Sequence, residues 1–425
     1  MIVKVPQFPW YGDTELELEF PDSWEVVVPR MAGEKARKMT AQQIRNALRQ
    51  PIGTPRLAEM ARGKKEVCII FDDLTRPTKA DQIVPHVLDE LHEGGIKDEN
   101  IRFIAALGLH GAMKLMDFQK KLGKEIPQKY LVFNHNPYEN CAYLGKTSRG
   151  IPVEVNSEFM ACDLKVSIGS IVPHPTAGFG GGGKMILPGV SSIKSIATNH
   201  GQLCTISETG TIVLDTWGRV DDNVQRLDME EIARMAGLDF SVNALVNMKR
   251  DTIGIFCGDL VKAHREGVKK ARQVYATESP GNADIVVANS YAKANETALV
   301  VSLGTKLLKE SGGDLVVIGN IPEGQICHYL ARSFGKKIGG QLYGAHKKLP
   351  SKVKRMYALS PCLDKAGLDW IGPIDLIILL NSWAEILAAL KKNYGNKAKA
   401  VVLPDATLQY FPRSGLPRGA TIPGD

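Results

Sequence analysis

Short apolar runs alternate with stretches of helical spacing along most of the 425 residues, and that alternation limits the fold more than any other property. Val67–Phe71 is a continuous apolar run ending in Asp72-Asp73. Ala80–Glu93 has helical spacing and closes at Gly94-Gly95, where a helix C-terminus favours glycine. Further strands are expected over Ile101–Leu107, Tyr130–Asn136 and Lys165–Ile171, with a helix over Met113–Leu122. Repeated strand-then-helix units predict an α/β fold, its mainly parallel sheets covered by helices.

The pattern breaks once. Asp259–Thr277 reads as a long amphipathic helix, and Glu278-Ser279-Pro280-Gly281-Asn282 as a linker. Strands then restart at Ala283–Ala288, Asp314–Gly319, Val353–Leu359, Pro373–Leu380 and Ala398–Leu403. The helices between them are expected near Ala294–Glu310, Gly324–Phe334 and Trp383–Lys392. Two domains are therefore predicted, residues 1–277 and 278–405, with the tail 406–425 packing back on the first.

Composition excludes several classes. Lysine and arginine exceed aspartate and glutamate by 53 to 46, a charge of +7. The basic residues are scattered and carry no interleaved aromatics, so no nucleic-acid partner is expected. A mild preference for anionic small molecules remains. Seven cysteines lie far apart without a CxxC, as in a cytoplasmic protein with reduced thiols. Met1–Trp10 lacks the pattern of a secretory leader. The aliphatic run near Ile374–Leu380 contains Asp375 and is too short to span a bilayer, so no membrane partner is expected.

The chemistry concentrates in Val172–Lys184, where His174 precedes Gly178-Phe179-Gly180-Gly181-Gly182-Gly183-Lys184. Clustered glycines lose much backbone entropy, a cost met where φ is positive or a ligand approaches closely. The loop matches the spacing GxxxxGK, yet Met185 stands where a nucleotide-hydrolysing loop needs Ser or Thr for magnesium. A cradle for a phosphate-bearing cofactor, with Lys184 pointed into it, is the better reading; a purely structural loop is the alternative. Arg76, in Asp73-Leu74-Thr75-Arg76-Pro77, offers a planar fork for a carboxylate or phosphate. Asp73 and Thr75 are candidates to bond a sugar hydroxyl or phosphate. His110, His174 and His200 fall at strand or helix ends, where ligands of α/β sheets bind. Histidines titrate near neutral pH and suit proton transfer. His135 is a fourth candidate; His86, His92, His264, His328 and His346 read as structural. No HExxH or CxxC supports an all-protein zinc site.

Taken together these stretches resemble the nickel-dependent lactate racemase family. The resemblance rests on Asp73–Pro77, Gly108-Leu109-His110, Asn134-His135, Pro173–Lys184, Leu187-Pro188-Gly189, Asn199-His200 and Trp383-Ala384-Glu385-Ile386-Leu387. It implies two α/β domains with the active site in the cleft between them. It also implies a nickel-pincer nucleotide, a pyridinium mononucleotide whose two sulfur-bearing arms hold nickel. By that resemblance Lys184 binds the cofactor, covalently through one arm, with Asp73, Thr75, Gly181, Gly182 and Gly183 around it. His200 completes the nickel coordination. His110 and His174 form the acid–base pair, and Arg76 holds the substrate carboxylate. Tyr291, Lys293, Asn295 and Trp383 are the further substrate contacts. The implied reaction inverts C2 of a 2-hydroxy acid by removing and returning hydride, and the implied partners include cofactor-biosynthesis proteins.

The chain also departs from that pattern. Lactate-type members carry a Gln and a Lys in the helix after the Tyr, where this chain has Glu296-Thr297-Ala298-Leu299-Val300-Val301. Lys293, Asn295 and Glu296 are the candidates to replace them, which points to a larger or more polar acid than lactate. The alternative is a protein that keeps the nucleotide pocket without racemase turnover.

Overall fold

The computed structural model describes residues 1–203, 216–330, 348–362 and 365–412. Two six-stranded sheets carry the fold. The first runs in the order Thr252–Gly258, Phe240–Val246, Leu164–Ser170, Val67–Phe71, Ile101–Ala105, Leu131–Asn134, all parallel except the antiparallel edge strand Thr252–Gly258. The second runs Ile377–Leu380, Val353–Leu359, Gly313–Ile318, Ile285–Asn289, Lys399–Leu403, Glu25–Val27 and is parallel throughout. Helices cover the sheets, among them Val84–Glu93, Val224–Met235, Lys262–Val274, Ala298–Lys306 and Trp383–Tyr394. The expected α/β class, with mainly parallel sheets flanked by helices, is the observed one.

Strand Val67–Phe71 explains why its sequence is apolar at every position. Val67, Ile69 and Phe71 enter the core on one face of the sheet, while Cys68 and Ile70 enter the core on the other. With period-two side chains and both faces covered, no position is left for a polar residue. Strand Ile285–Asn289 repeats this, with Val286 and Ala288 on one face and Ile285 and Val287 on the other.

Three findings differ from the sequence expectations. Glu25–Val27 pairs with Lys399–Val401, so a strand from the first 28 residues completes the second sheet. The preceding hairpin, Ile2–Gln7 with Thr14–Glu19, packs Val3, Val5 and Leu18 into the same core. The segment 324–330 is not helical, Gly324 having φ +69°, and the rest of the helix expected there lies outside the described residues. Before Ile377 the chain makes a 3-10 turn, Ile374–Leu376, instead of extending from Pro373. The tail is described only to residue 412; Leu408 and Tyr410 pack with Phe179, Val246 and Tyr275 of the first sheet's surroundings.

Candidate active site

Strands Leu164–Ser170, Val67–Phe71 and Ile101–Ala105 are adjacent in the sheet and parallel, so their carboxyl ends open at one edge. That order brings Asp72-Asp73, His110 and His174 to a single cleft, with an empty volume of about 980 Å³, its open mouth included. The opposite wall comes from the second half of the chain and carries Glu296, His328 and Trp370.

His110 is the most strongly constrained group. Its Nδ1 lies 2.6 Å from Asp73 Oδ2, and its Nε2 lies 3.4 Å from Glu296 Oε1. Burial alone would lower its pKa, but the two carboxylates outweigh it and hold the imidazole up at about 9. Asp73 is fixed in turn: Thr75 donates to its Oδ1 from both backbone N–H and hydroxyl. Burial opposes ionisation of Asp73, yet His110 and then Arg76 keep its pKa low. Arg76 Nη1 reaches Thr75 Oγ1 and Glu296 Oε2. Beneath them Lys121, fully buried, donates to the Asp73 and Arg76 carbonyls and pairs with Asp72 Oδ1 at 2.7 Å.

The glycine loop is held from behind. Arg226, fully buried, donates to the carbonyls of Ala177, Phe179 and Gly181, and His264 Nε2 lies 2.8 Å from the Gly180 carbonyl oxygen. Gly178, Gly181 and Gly182 have positive φ. A Cβ on Gly183 would meet the Met229 carbonyl oxygen at 2.8 Å, and one on Gly180 the Ser170 carbonyl oxygen at 2.7 Å. These glycines are thus required by close packing on protein, a reason the sequence alone does not separate from ligand approach.

On the cleft side, His174 Nδ1 accepts from the backbone N–H of Thr176 and Ala177 at 3.3 and 3.2 Å, which places the hydrogen of the neutral ring on Nε2. Burial, then the charge of Lys184, pushes the His174 pKa well below its usual value. Burial, then Arg76 and Arg226, does the same to the Lys184 amine, whose Nζ has no hydrogen bond or ion pair among the described residues. His200 Nδ1 donates to the Ile196 carbonyl oxygen at 3.0 Å, so the Nε2 lone pair stays free. Burial, then Lys184, lowers its pKa to about 4. Ser170 Oγ is buried, lines the cleft and has no partner among the described residues. An amine pushed below its usual pKa, a neutral imidazole with a free lone pair and an orphaned hydroxyl fit a cofactor that bonds to lysine, takes a histidine ligand and carries polar groups.

His110, His174, Lys184, His200, Asp73, Arg76 and Gly181 therefore line one cleft. Thr75 stands just behind it, bonded to Asp73. Other candidates lie elsewhere. Trp383 is core: it packs on Phe20 with ring centroids 5.1 Å apart and donates from Nε1 to the Glu19 carbonyl oxygen. The tryptophan in the cleft is Trp370. Tyr291 donates to Asp13 at 2.8 Å and lies outside the cleft lining. Gly182 and Gly183 turn away, toward His264 and helix Val224–Met235. Lys293 and Asn295 are buried behind the wall; Lys293 Nζ donates to the Pro173 carbonyl oxygen at 3.1 Å, bracing the loop that leads to His174. His135 is also internal, its Nε2 2.9 Å from the Ser191 carbonyl oxygen. His328, read as structural from sequence, lines the cleft and stacks on Trp370 at 4.8 Å. His346 lies outside the described residues.

Residues 11–211 match the model of the lactate racemase N-terminal domain. The chain is 32% identical over 284 residues to lactate racemase from Thermoanaerobacterium thermosaccharolyticum, covering 66% of this chain and 65% of that protein. Over these stretches the chain is similar to the lactate racemase family. Lactate racemase from Lactiplantibacillus plantarum is 32% identical over 234 residues, 54% of each chain. The chain thus spans just under two thirds and about half of the two relatives it matches. The fold agrees over a longer stretch. The T. thermosaccharolyticum lactate racemase apoprotein superposes with a TM-score of 0.73 at 22% identity, covering 97% of this chain and 100% of that one. A Thermotoga maritima protein gives 0.62 at 17% identity, covering 90% and 100%.

Proposed function

We propose that this chain is a racemase or epimerase of the lactate racemase family that inverts C2 of a 2-hydroxy acid with a nickel-pincer nucleotide. The observation that carries the reading is the unequal pair on one cleft: His110 held as an imidazolium by two carboxylates, His174 held neutral beside Lys184. Lys184 and His200 would hold the cofactor, Lys184 by an amine that burial and the nearby cations make easier to deprotonate and His200 by the Nε2 lone pair. When bound, that group supplies a hydride acceptor and donor, which a C2–H bond needs because it is too weakly acidic for direct deprotonation.

The side chains do the rest. Arg76 uses Nη1 on Glu296 and Thr75, leaving Nη2 and Nε for the substrate carboxylate. His110 gives or takes the hydroxyl proton at Nε2, while Asp73 fixes the hydrogen on Nδ1, as an orienting carboxylate does for a general base. His174 works from the loop side. With Nδ1 accepting from the Thr176 and Ala177 N–H groups, its neutral ring carries the hydrogen on Nε2 and is set to donate there; taking a proton at Nε2 would require the hydrogen on Nδ1 in place of those two bonds. One proton shared by the two rings is the competent state for inversion in either direction. That state predominates from the low His174 pKa up to about 9, where His110 loses its proton.

The test is chiral analysis of 2-hydroxy acids incubated with enzyme from cells that make the cofactor. Inversion is expected, with loss in His110→Ala and in His174→Ala while the cofactor stays bound. Inversion surviving in both variants would remove the pair from the reaction. Full cofactor occupancy without inversion of any acid would favour a pocket retained for binding alone.

A further inference from the structure

The wall facing the histidines has a composition that a methyl group does not use. Glu296 ends the 3-10 segment Tyr291–Glu296, just beyond strand Ile285–Asn289, and its side chain is 5% exposed. It is charged there: burial would raise its pKa, but Arg76 and then His110 hold it far below the usual carboxylate range. Beside it Trp370 presents a ring stacked on His328 at an interplanar angle of 19°. The Trp370 Nε1–H is buried with no partner among the described residues. His328 Nδ1 accepts from the Leu330 N–H at 3.3 Å, which leaves Nε2–H as a second donor. One wall of the cleft thus offers an ionised acceptor, two donors and a flat aromatic face.

We propose that Glu296 is a specificity residue, and that the substrate is a 2-hydroxy acid bearing further hydroxyls from C3 onward, a sugar acid. The assignment rests on the racemase reading. Buried polar groups left without a partner cost binding energy, so a site built from them rejects an apolar analogue. Lactate brings only a methyl group to this wall. A second carboxylate is repelled by Glu296. An added ammonium is opposed by Arg76, His110 and Lys293, which already crowd Glu296. Neutral hydroxyls both donate and accept, so they can use the lone pairs that Arg76 and His110 leave on the carboxylate and also partner the indole N–H, with the carbon chain lying on the Trp370 ring.

Calorimetry with D-gluconate and with lactate tests this on the full chain, and chiral analysis of the same acids tests it on cofactor-loaded enzyme. Gluconate is expected to bind at least about tenfold tighter than lactate. Glu296→Leu should erase most of that preference, read as the ratio of gluconate to lactate affinity so that a change at Arg76 or His110 acts on both acids alike. Trp370→Phe keeps the ring and loses the N–H, and should reduce the preference several-fold. Equal binding of the two acids by the parent chain, or a preference that survives both substitutions, overturns the proposal. A preference without C2 inversion by loaded enzyme would keep the subsite and remove the racemase reading. Racemisation of lactate with no preference for gluconate would do the reverse.

Discussion

Asp73→Asn removes one charge and little volume, and its effect is predictable from the geometry. Asp73 Oδ2 sits 2.6 Å from His110 Nδ1, and the carboxylates around that ring hold its pKa at about 9 against an ordinary 6.5. At 1.36 kcal/mol per pKa unit, the net hold is about 3 kcal/mol. A hydrogen bond between charged partners contributes roughly 1.5–3 kcal/mol, so losing it should bring the His110 pKa down by about one to two units. The introduced amide still accepts from Thr75 through its oxygen, but it offers N–H to His110 Nδ1 and so favours the neutral ring. The basic limb of kcat/KM should therefore move from about pH 9 to roughly 7–8. Stability should follow the same sign. A histidine whose pKa is raised on folding contributes stability that is fully present below 6.5 and is lost as pH rises through about 9. Urea unfolding of the parent chain should weaken over that window, and that of Asp73→Asn should be flatter. NMR titration of the His110 ring reads the pKa directly. An unmoved His110 pKa, with an unmoved basic limb, would refute the argument that Asp73 sets its charge.

Two further substitutions separate packing from chemistry. Arg226→Ala leaves three loop carbonyls without their donor at a buried site, at about 1–3 kcal/mol each before relaxation. Chemical denaturation should show a loss of at least about 3 kcal/mol, and less than 1 kcal/mol would mean the loop holds itself. Trp383→Ala should cost about 3–5 kcal/mol of stability as a core truncation while leaving KM near the parent value. A large rise in KM with little change in stability would return Trp383 to the substrate site.

What the sequence made legible follows physical range. Four of the six strands of the first sheet were readable, most plainly Val67–Phe71, where burial on both faces forbids polar residues; Phe240–Val246 and Thr252–Gly258 were not read. The histidines at their ends were readable because parallel strands open their carboxyl ends to one side. Strand Glu25–Val27 was not, being three residues long and paired with residues some 370 positions away. Trp383 drew attention within a family-like stretch, yet Ser382 and Glu385 there form a capping box, and the tryptophan fills the core. Trp370 and His328 carry no local pattern; only the packing of the second half brings them opposite His110. Glu296 was visible as a departure, but its pairing with Arg76, 220 residues away, was not. The glycine run was conspicuous for two reasons at once, packing on Arg226 and His264 and exposure to the cleft, and only coordinates separate Gly181 from Gly182 and Gly183.

The account turns on Lys184 and His200 as the seat of a nickel-bearing cofactor beside His110 and His174. Intact-mass spectrometry with nickel analysis, on chain co-expressed with the cofactor-making proteins, tests that most directly. The account predicts near-stoichiometric nickel and a mass increment that maps to Lys184. The increment should vanish in Lys184→Ala, and nickel should fall in His200→Ala. A chain that carries neither nickel nor added mass under those conditions would contradict it.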